Sequence, residues 1–125
     1  MHRVLLIDDE PLALEELAEA FEDEGYAVQT ASRYAQVRDE CDPESVDILI
    51  TDLKMPGMNG IDLFRDFRAQ GFQGKAILLS GHGAESNRIN AHEAGISLTL
   101  PKPIDLDELF DAVESLLKVK EVEGS

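Results

Sequence analysis

The sequence predicts a doubly wound α/β fold, a parallel sheet with helices on both faces. Apolar runs of strand length alternate with amphipathic helical patterns, the order that builds a parallel sheet covered by helices. The runs are nearly continuous in Val, Ile and Leu, as strands buried on both faces are. Right-handed crossovers between such strands leave a doubly wound topology.

The elements follow in order. Val4-Leu5-Leu6-Ile7 is the first strand, and Pro11 suits the first turn of the helix after it. Leu14, Leu17, Ala18 and Phe21 recur at helical spacing, and Gly25 is placed to end that helix. Residues 26–30 read as a short second strand, and 33–41 as a weaker helix stopped by Asp42-Pro43. The third strand covers 47–51. A turn-rich loop, Met55 to Gly60, leads to a helix marked by Leu63, Phe64 and Phe67, with Gly71 and Gly74 at its exit. The fourth strand covers 75–79, and Gly81-His82-Gly83 is a loop. The fourth helix, 84–94, has few large apolar residues beyond Ile89 and ends at Gly95. The fifth strand covers 97–100. Leu106, Leu109, Phe110, Val113, Leu116 and Leu117 make the clearest helical stripe. The pattern fades after Lys118, so 1–118 is expected to be the domain and 119–125 a tail or the start of a linker.

Composition narrows the function. A chain of 125 residues, 43% of them hydrophobic, suits one compact domain. Its net charge of −15, with eleven scattered basic residues, argues against direct nucleic-acid binding. No apolar run approaches the ~20 residues needed to span a bilayer, and none resembles a signal peptide. The single cysteine, Cys41, excludes an intrachain disulfide and fits a reducing compartment. The expected location is the cytoplasm.

Four strands end on chemically loaded residues: Asp8-Asp9 after the first, Asp52 after the third, Ser80 after the fourth and Lys102 after the fifth. Ligands of open α/β sheets bind beyond the carboxyl ends of the strands, so these groups converge if the strands are neighbours. Asp8 and Asp9 offer the oxygen ligands that Mg²⁺ prefers. The plainer account is that acidic residues favour the start of the following helix. A carboxylate at Asp52 can act as a nucleophile and form an aspartyl phosphate; a turn Asp that bonds its own loop is the alternative. Ser80 can donate to a phosphoryl oxygen and Lys102 can balance its charge, against a loop Ser and a surface Lys. Pro101 and Pro103 restrict the backbone around Lys102, and the Lys102–Pro103 bond is a candidate for cis. His82 and His92 read as ordinary polar residues, because no His/Cys cluster has ligand spacing.

The ordered set resembles the response-regulator receiver domain of bacterial two-component signalling, over about residues 3–118. The resemblance rests on Leu6-Ile7-Asp8-Asp9-Glu10-Pro11, on Thr51 through Gly60, on Leu79-Ser80-Gly81 and on Leu100-Pro101-Lys102-Pro103. It implies a flavodoxin-like three-layer (βα)5 sandwich with strand order 2-1-3-4-5. It implies Asp52 as phosphoacceptor, Ser80 as switch hydroxyl and Lys102 as the lysine that contacts the phosphoryl group. It implies Mg²⁺ (or Mn²⁺) held by Asp9 directly, by Asp8 through water, by Asp52 and by the backbone carbonyl of Lys54. The expected partners are a sensor histidine kinase or a histidine phosphotransfer protein, with dimerisation or output contacts through the fourth helix, fifth strand and fifth helix. The expected activity is self-directed phosphotransfer and slow autodephosphorylation rather than enzyme turnover. One position departs from the family: Thr99 stands where an aromatic residue is common, so switching cannot be reported there by a ring. Lys54 and His82 lie at the mouth of the pocket in this family.

Three other readings fit less well. A flavin or nucleotide binder of the flavodoxin type needs a Ser/Thr/Gly-rich first loop, and Asp8-Asp9-Glu10-Pro11 would repel phosphate. An aspartyl-phosphate phosphohydrolase usually carries a second Asp two residues after the nucleophile, where Lys54 stands here. A receiver-like scaffold that is never phosphorylated fits poorly with an intact site.

Overall fold

The structure is a computed structural model that describes the backbone at residues 1–81 and 85–123 and the side chains at 1–81 and 87–118. His82 and Gly83 of the expected glycine-rich loop lie outside the described residues. The chain runs β1 (Arg3–Ile7), α1 (Pro11–Asp23), β2 (Ala27–Ala31), α2 (Tyr34–Glu40), a 3-10 turn (Pro43–Ser45), β3 (Ile48–Asp52), α3 (Gly60–Ala69), β4 (Lys75–Ser80), α4 (Glu85–Ala94), β5 (Leu98–Pro101) and α5 (Leu106–Glu123). The five strands form one parallel sheet in the order β2-β1-β3-β4-β5.

Alternation along the strands divides the core in two. Leu5, Ile7, Leu49 and Leu78 face α2, α3 and α4, and pack with Val37, Leu63, Phe64, Phe67 and Ala91. Val4, Leu6, Ile48, Ile50, Ile77 and Leu79 face α1 and α5, and pack with Leu14, Leu17, Phe21, Leu109 and Val113. Each central strand therefore buries both faces, which is why its sequence is apolar without interruption. The result is the three-layer sandwich expected from the sequence.

Most boundaries fall within a residue or two of expectation. Asp42 does more than stop α2: its Oδ1 accepts from Glu44 N at 3.1 Å and starts the unanticipated 3-10 turn. The α5 backbone stays helical through Glu123, beyond the point where the apolar stripe fades. Lys and Glu in that stretch are good helix formers, so propensity carries the helix where amphipathicity no longer marks it. Gly25 and Gly95 end α1 and α4 with φ of 94° and 107°, a region other residues rarely adopt. Among the described residues, no helix is long and apolar enough to cross a membrane.

Candidate functional site

The strand order brings the carboxyl ends of β1, β3, β4 and β5 side by side. Asp8 leaves β1 as the chain turns. Its Oδ1 accepts from Glu10 N at 2.9 Å, which fixes the carboxylate and shapes the entry to α1. Asp8 is buried and Asp9 beside it is exposed, so the two adjacent residues enter the site from different depths. Asp52 is the last residue of β3 and only 8% exposed. Its exit is pinned on both sides: Leu53 N donates to Leu79 O at 2.9 Å, and Gly60 N donates to Leu53 O at 2.8 Å. Gly60 opens α3 directly against this exit, where a Cβ would lie 2.3 Å from Asp52 O. Asn59 Oδ1 caps the same helix by accepting from Asp62 N at 2.9 Å.

Carboxylate oxygens of Asp8, Asp9 and Asp52 all lie within 4.8 Å of one another. Lys102 reaches in from the end of β5, placing Nζ 3.1 Å from Asp52 Oδ2 and 3.5 Å from Asp8 Oδ2. Its own backbone N donates to Ser80 O at 2.9 Å, so the lysine and the end of β4 are tied together. The Lys102–Pro103 bond is cis. Ser80 is buried at the end of β4. Asp9, Asp52, Lys54, Ser80 and Lys102 line one cleft of about 260 Å³. Sequence reasoning missed Asn87, a residue of α4 that lines the same cleft.

Burial pushes the Asp52 carboxyl above its ordinary range; Lys102 pulls it down, and the charges of Asp8 and Asp9 push it up again. Burial acts to lower the Lys102 ammonium, but its hydrogen bond and charge attraction to Asp52, followed by Asp8, raise it overall. Lys102 pairs with Asp52 and Asp8 but not with the neighbouring Asp9, so among the described ion pairs of the site the carboxylates outnumber the ammonium and an excess of negative charge remains. A hard divalent cation with oxygen ligands would relieve that excess, so the donor set fits Mg²⁺.

Comparison with known proteins gives the same family. The sequence model of the response regulator receiver domain matches residues 4–114. The transcriptional regulatory protein GlrR of Escherichia coli is 34% identical over 115 residues, which cover 92% of this chain and 26% of GlrR. The transcriptional regulatory protein CpxR of the same species is 36% identical over 118 residues, 94% of this chain and 50% of CpxR. The chain therefore spans a quarter to a half of these relatives. A crystal structure of a response regulator receiver domain protein from Clostridium thermocellum superposes with a TM-score of 0.86 at 31% identity, covering 98% of both chains. With this sheet order and a family match over most of its length, the chain belongs to the response regulator receiver domains of two-component signalling.

Proposed function

We propose that the domain accepts a phosphoryl group on Asp52 and passes the change of state to a partner surface. The observation that supports this most is the carboxylate triad within 4.8 Å, with Lys102 Nζ 3.1 Å from the Asp52 oxygen. The donor is a phosphohistidine on a sensor kinase or a phosphotransfer protein. An Asp52 carboxylate oxygen attacks phosphorus, the new P–O bond forms, the P–N bond breaks, and the electron pair leaves with the imidazole. Lys102 donates to a phosphoryl oxygen and offsets its charge, and Ser80 supplies a hydroxyl donor from the neighbouring strand. Asp8, Asp9, Asp52 and the Lys54 carbonyl would hold Mg²⁺, which neutralises charge on the nucleophile and the incoming group.

The product adds negative charge and new acceptor oxygens at the sheet edge. Output runs through α4, β5 and α5. Arg88, the half-exposed Ile89, His92 and Thr99 line a groove of about 340 Å³ between α4 and β5 that is open to a partner. The domain acts as a cytoplasmic signalling module, and any DNA contact belongs to other parts of the assembly, because −15 of net charge opposes it here.

Intact mass after incubation with acetyl phosphate, with and without Mg²⁺, tests the proposal on wild type and Asp52→Asn. A Mg²⁺-dependent phosphoryl adduct on wild type alone supports it. An adduct that persists in Asp52→Asn gives the role to another residue. No adduct on a folded wild type would favour the unphosphorylated scaffold.

A further inference from the structure

We propose that Asn87 is the α4 side chain that reads the phosphoryl group, its carboxamide donating to a phosphoryl oxygen on Asp52 and tying the position of α4 to the state of the site. This rests on Asp52 being the phosphoacceptor. Four observations carry it.

Asn87 is the only described residue of α4 that lines the Asp52 cleft. Among the described residues, its carboxamide makes no hydrogen bond that would hold it elsewhere. A carboxamide offers two N–H donors without adding charge, so it can enter a pocket already crowded with carboxylates. A phosphoryl group presents three acceptor oxygens. Ser80 and Lys102 bring donors from β4 and from the end of β5, and Lys54 lies on the loop after β3; among the described residues, Asn87 alone brings a donor from α4.

The helix is lightly held. Of its described side chains only Ala91 is buried, and Ile89 is 49% exposed. A new bond at Asn87 therefore works against little apolar packing. The next residue, Arg88, lines a second cavity of about 390 Å³ with Leu98, Thr99 and Glu108, which shares Ser80 with the Asp52 cleft. Adjacent residues of one helix thus face the phosphoryl cleft and the outer side of β5. Movement of α4 at Asn87 is carried to Arg88 beside Thr99, a route that needs no aromatic ring at position 99.

Backbone amide chemical shifts of α4, read by NMR with beryllofluoride as the phosphoryl mimic in the presence of Mg²⁺, test the proposal on wild type, Asn87→Ala and Asn87→Gln. Ala is the better helix former, so the first variant keeps the helix. In wild type the mimic shifts amides next to Asp52 and throughout α4. In Asn87→Ala the shifts next to Asp52 remain, those of α4 fall to less than about half, and the mimic binds about tenfold more weakly, as expected for loss of a bond to a charged group. Asn87→Gln restores part of both. A full α4 response in Asn87→Ala overturns the role of Asn87 and leaves the phosphoacceptor reading standing. No shift next to Asp52 in folded wild type overturns that reading and this inference with it.

Discussion

Replacing Lys102 by Met removes the ammonium that pairs with Asp52 and Asp8. In the native site Nζ lies 3.1 Å from Asp52 and 3.5 Å from Asp8. At an effective dielectric near 20, each of these contacts is a gross attraction of about 5 kcal/mol. Carboxylate oxygens within 4.8 Å of one another repel by at least roughly 3.5 kcal/mol per pair at the same dielectric. Two attractions nearly offset three repulsions, and the variant keeps only the repulsions. Breaking a fully buried pair costs about 3–5 kcal/mol. The Lys102 side chain is 27% exposed, so water and proton uptake reduce the cost to about 2 kcal/mol. For a domain of this size that is about 8 °C in Tm.

The sign with pH is fixed by which groups titrate. The Lys102 pKa is raised in the folded protein by Asp52 and Asp8 against burial. Its contribution is therefore complete below the unfolded value and is lost only as pH rises through the folded one. In the variant Asp52 stays raised by burial and loses the Lys102 contact that pulls it down, so the penalty is present at neutral pH and fades as pH falls. Urea denaturation of both proteins in EDTA at pH 7.5 and pH 5, then with Mg²⁺, reads all of this. The gap is largest in EDTA at pH 7.5, smaller at pH 5, and smaller with Mg²⁺. Equal midpoints in EDTA at pH 7.5, or a gap independent of pH, would refute the charge-balance argument.

Three further predictions follow from the same geometry. Asp52→Asn stabilises the metal-free protein at neutral pH by about 0.5–2 kcal/mol, the usual size of a stability cost held at a functional site. Asp52 has a raised pKa, so the gain is present at neutral pH and shrinks as pH falls through its folded value; a melting series from pH 4 to 8 checks it. Gly60→Ala forces a Cβ to within 2.3 Å of Asp52 O and 2.9 Å of Leu78 Cδ1; it costs about 3 kcal/mol in urea denaturation and slows phosphoryl uptake by displacing the Asp52 exit. The Arg38–Asp66 pair joins α2 to α3 at 3.1 Å, but half of the arginine side chain is exposed. A double-mutant cycle there gives a coupling below about 1 kcal/mol that falls further in high salt.

Much of this was legible in the chain because burial on both faces leaves strands unmistakable: Ile48-Leu49-Ile50-Thr51 has no polar residue pointing to solvent, and Asp52 after it marks the edge. The strand ends also carried the chemistry, since Asp8, Asp52, Ser80 and Lys102 each directly close or follow an apolar run. The different depths of Asp8 and Asp9 were not legible. They are neighbours in sequence, and the turn held by Glu10 N decides which is buried. Asn87 was invisible for a different reason: α4 has a weak apolar stripe, so nothing in its periodicity says which polar residue faces the cleft. The apolar stripe of α5 stops at Leu117, and the helix runs on to Glu123 because Lys and Glu extend it by propensity, which leaves no periodic mark in the sequence.

The central claim is that the Asp52 carboxylate, and no other, forms the acyl phosphate. Borohydride reduces an acyl phosphate to an alcohol and releases phosphate, which would leave homoserine where the phosphorylated aspartate stood. The measurement is peptide mapping by mass spectrometry after acetyl phosphate and Mg²⁺ treatment followed by borohydride. The account predicts homoserine at position 52 alone. Homoserine at position 8 or 9, with Asp52 intact, would contradict it.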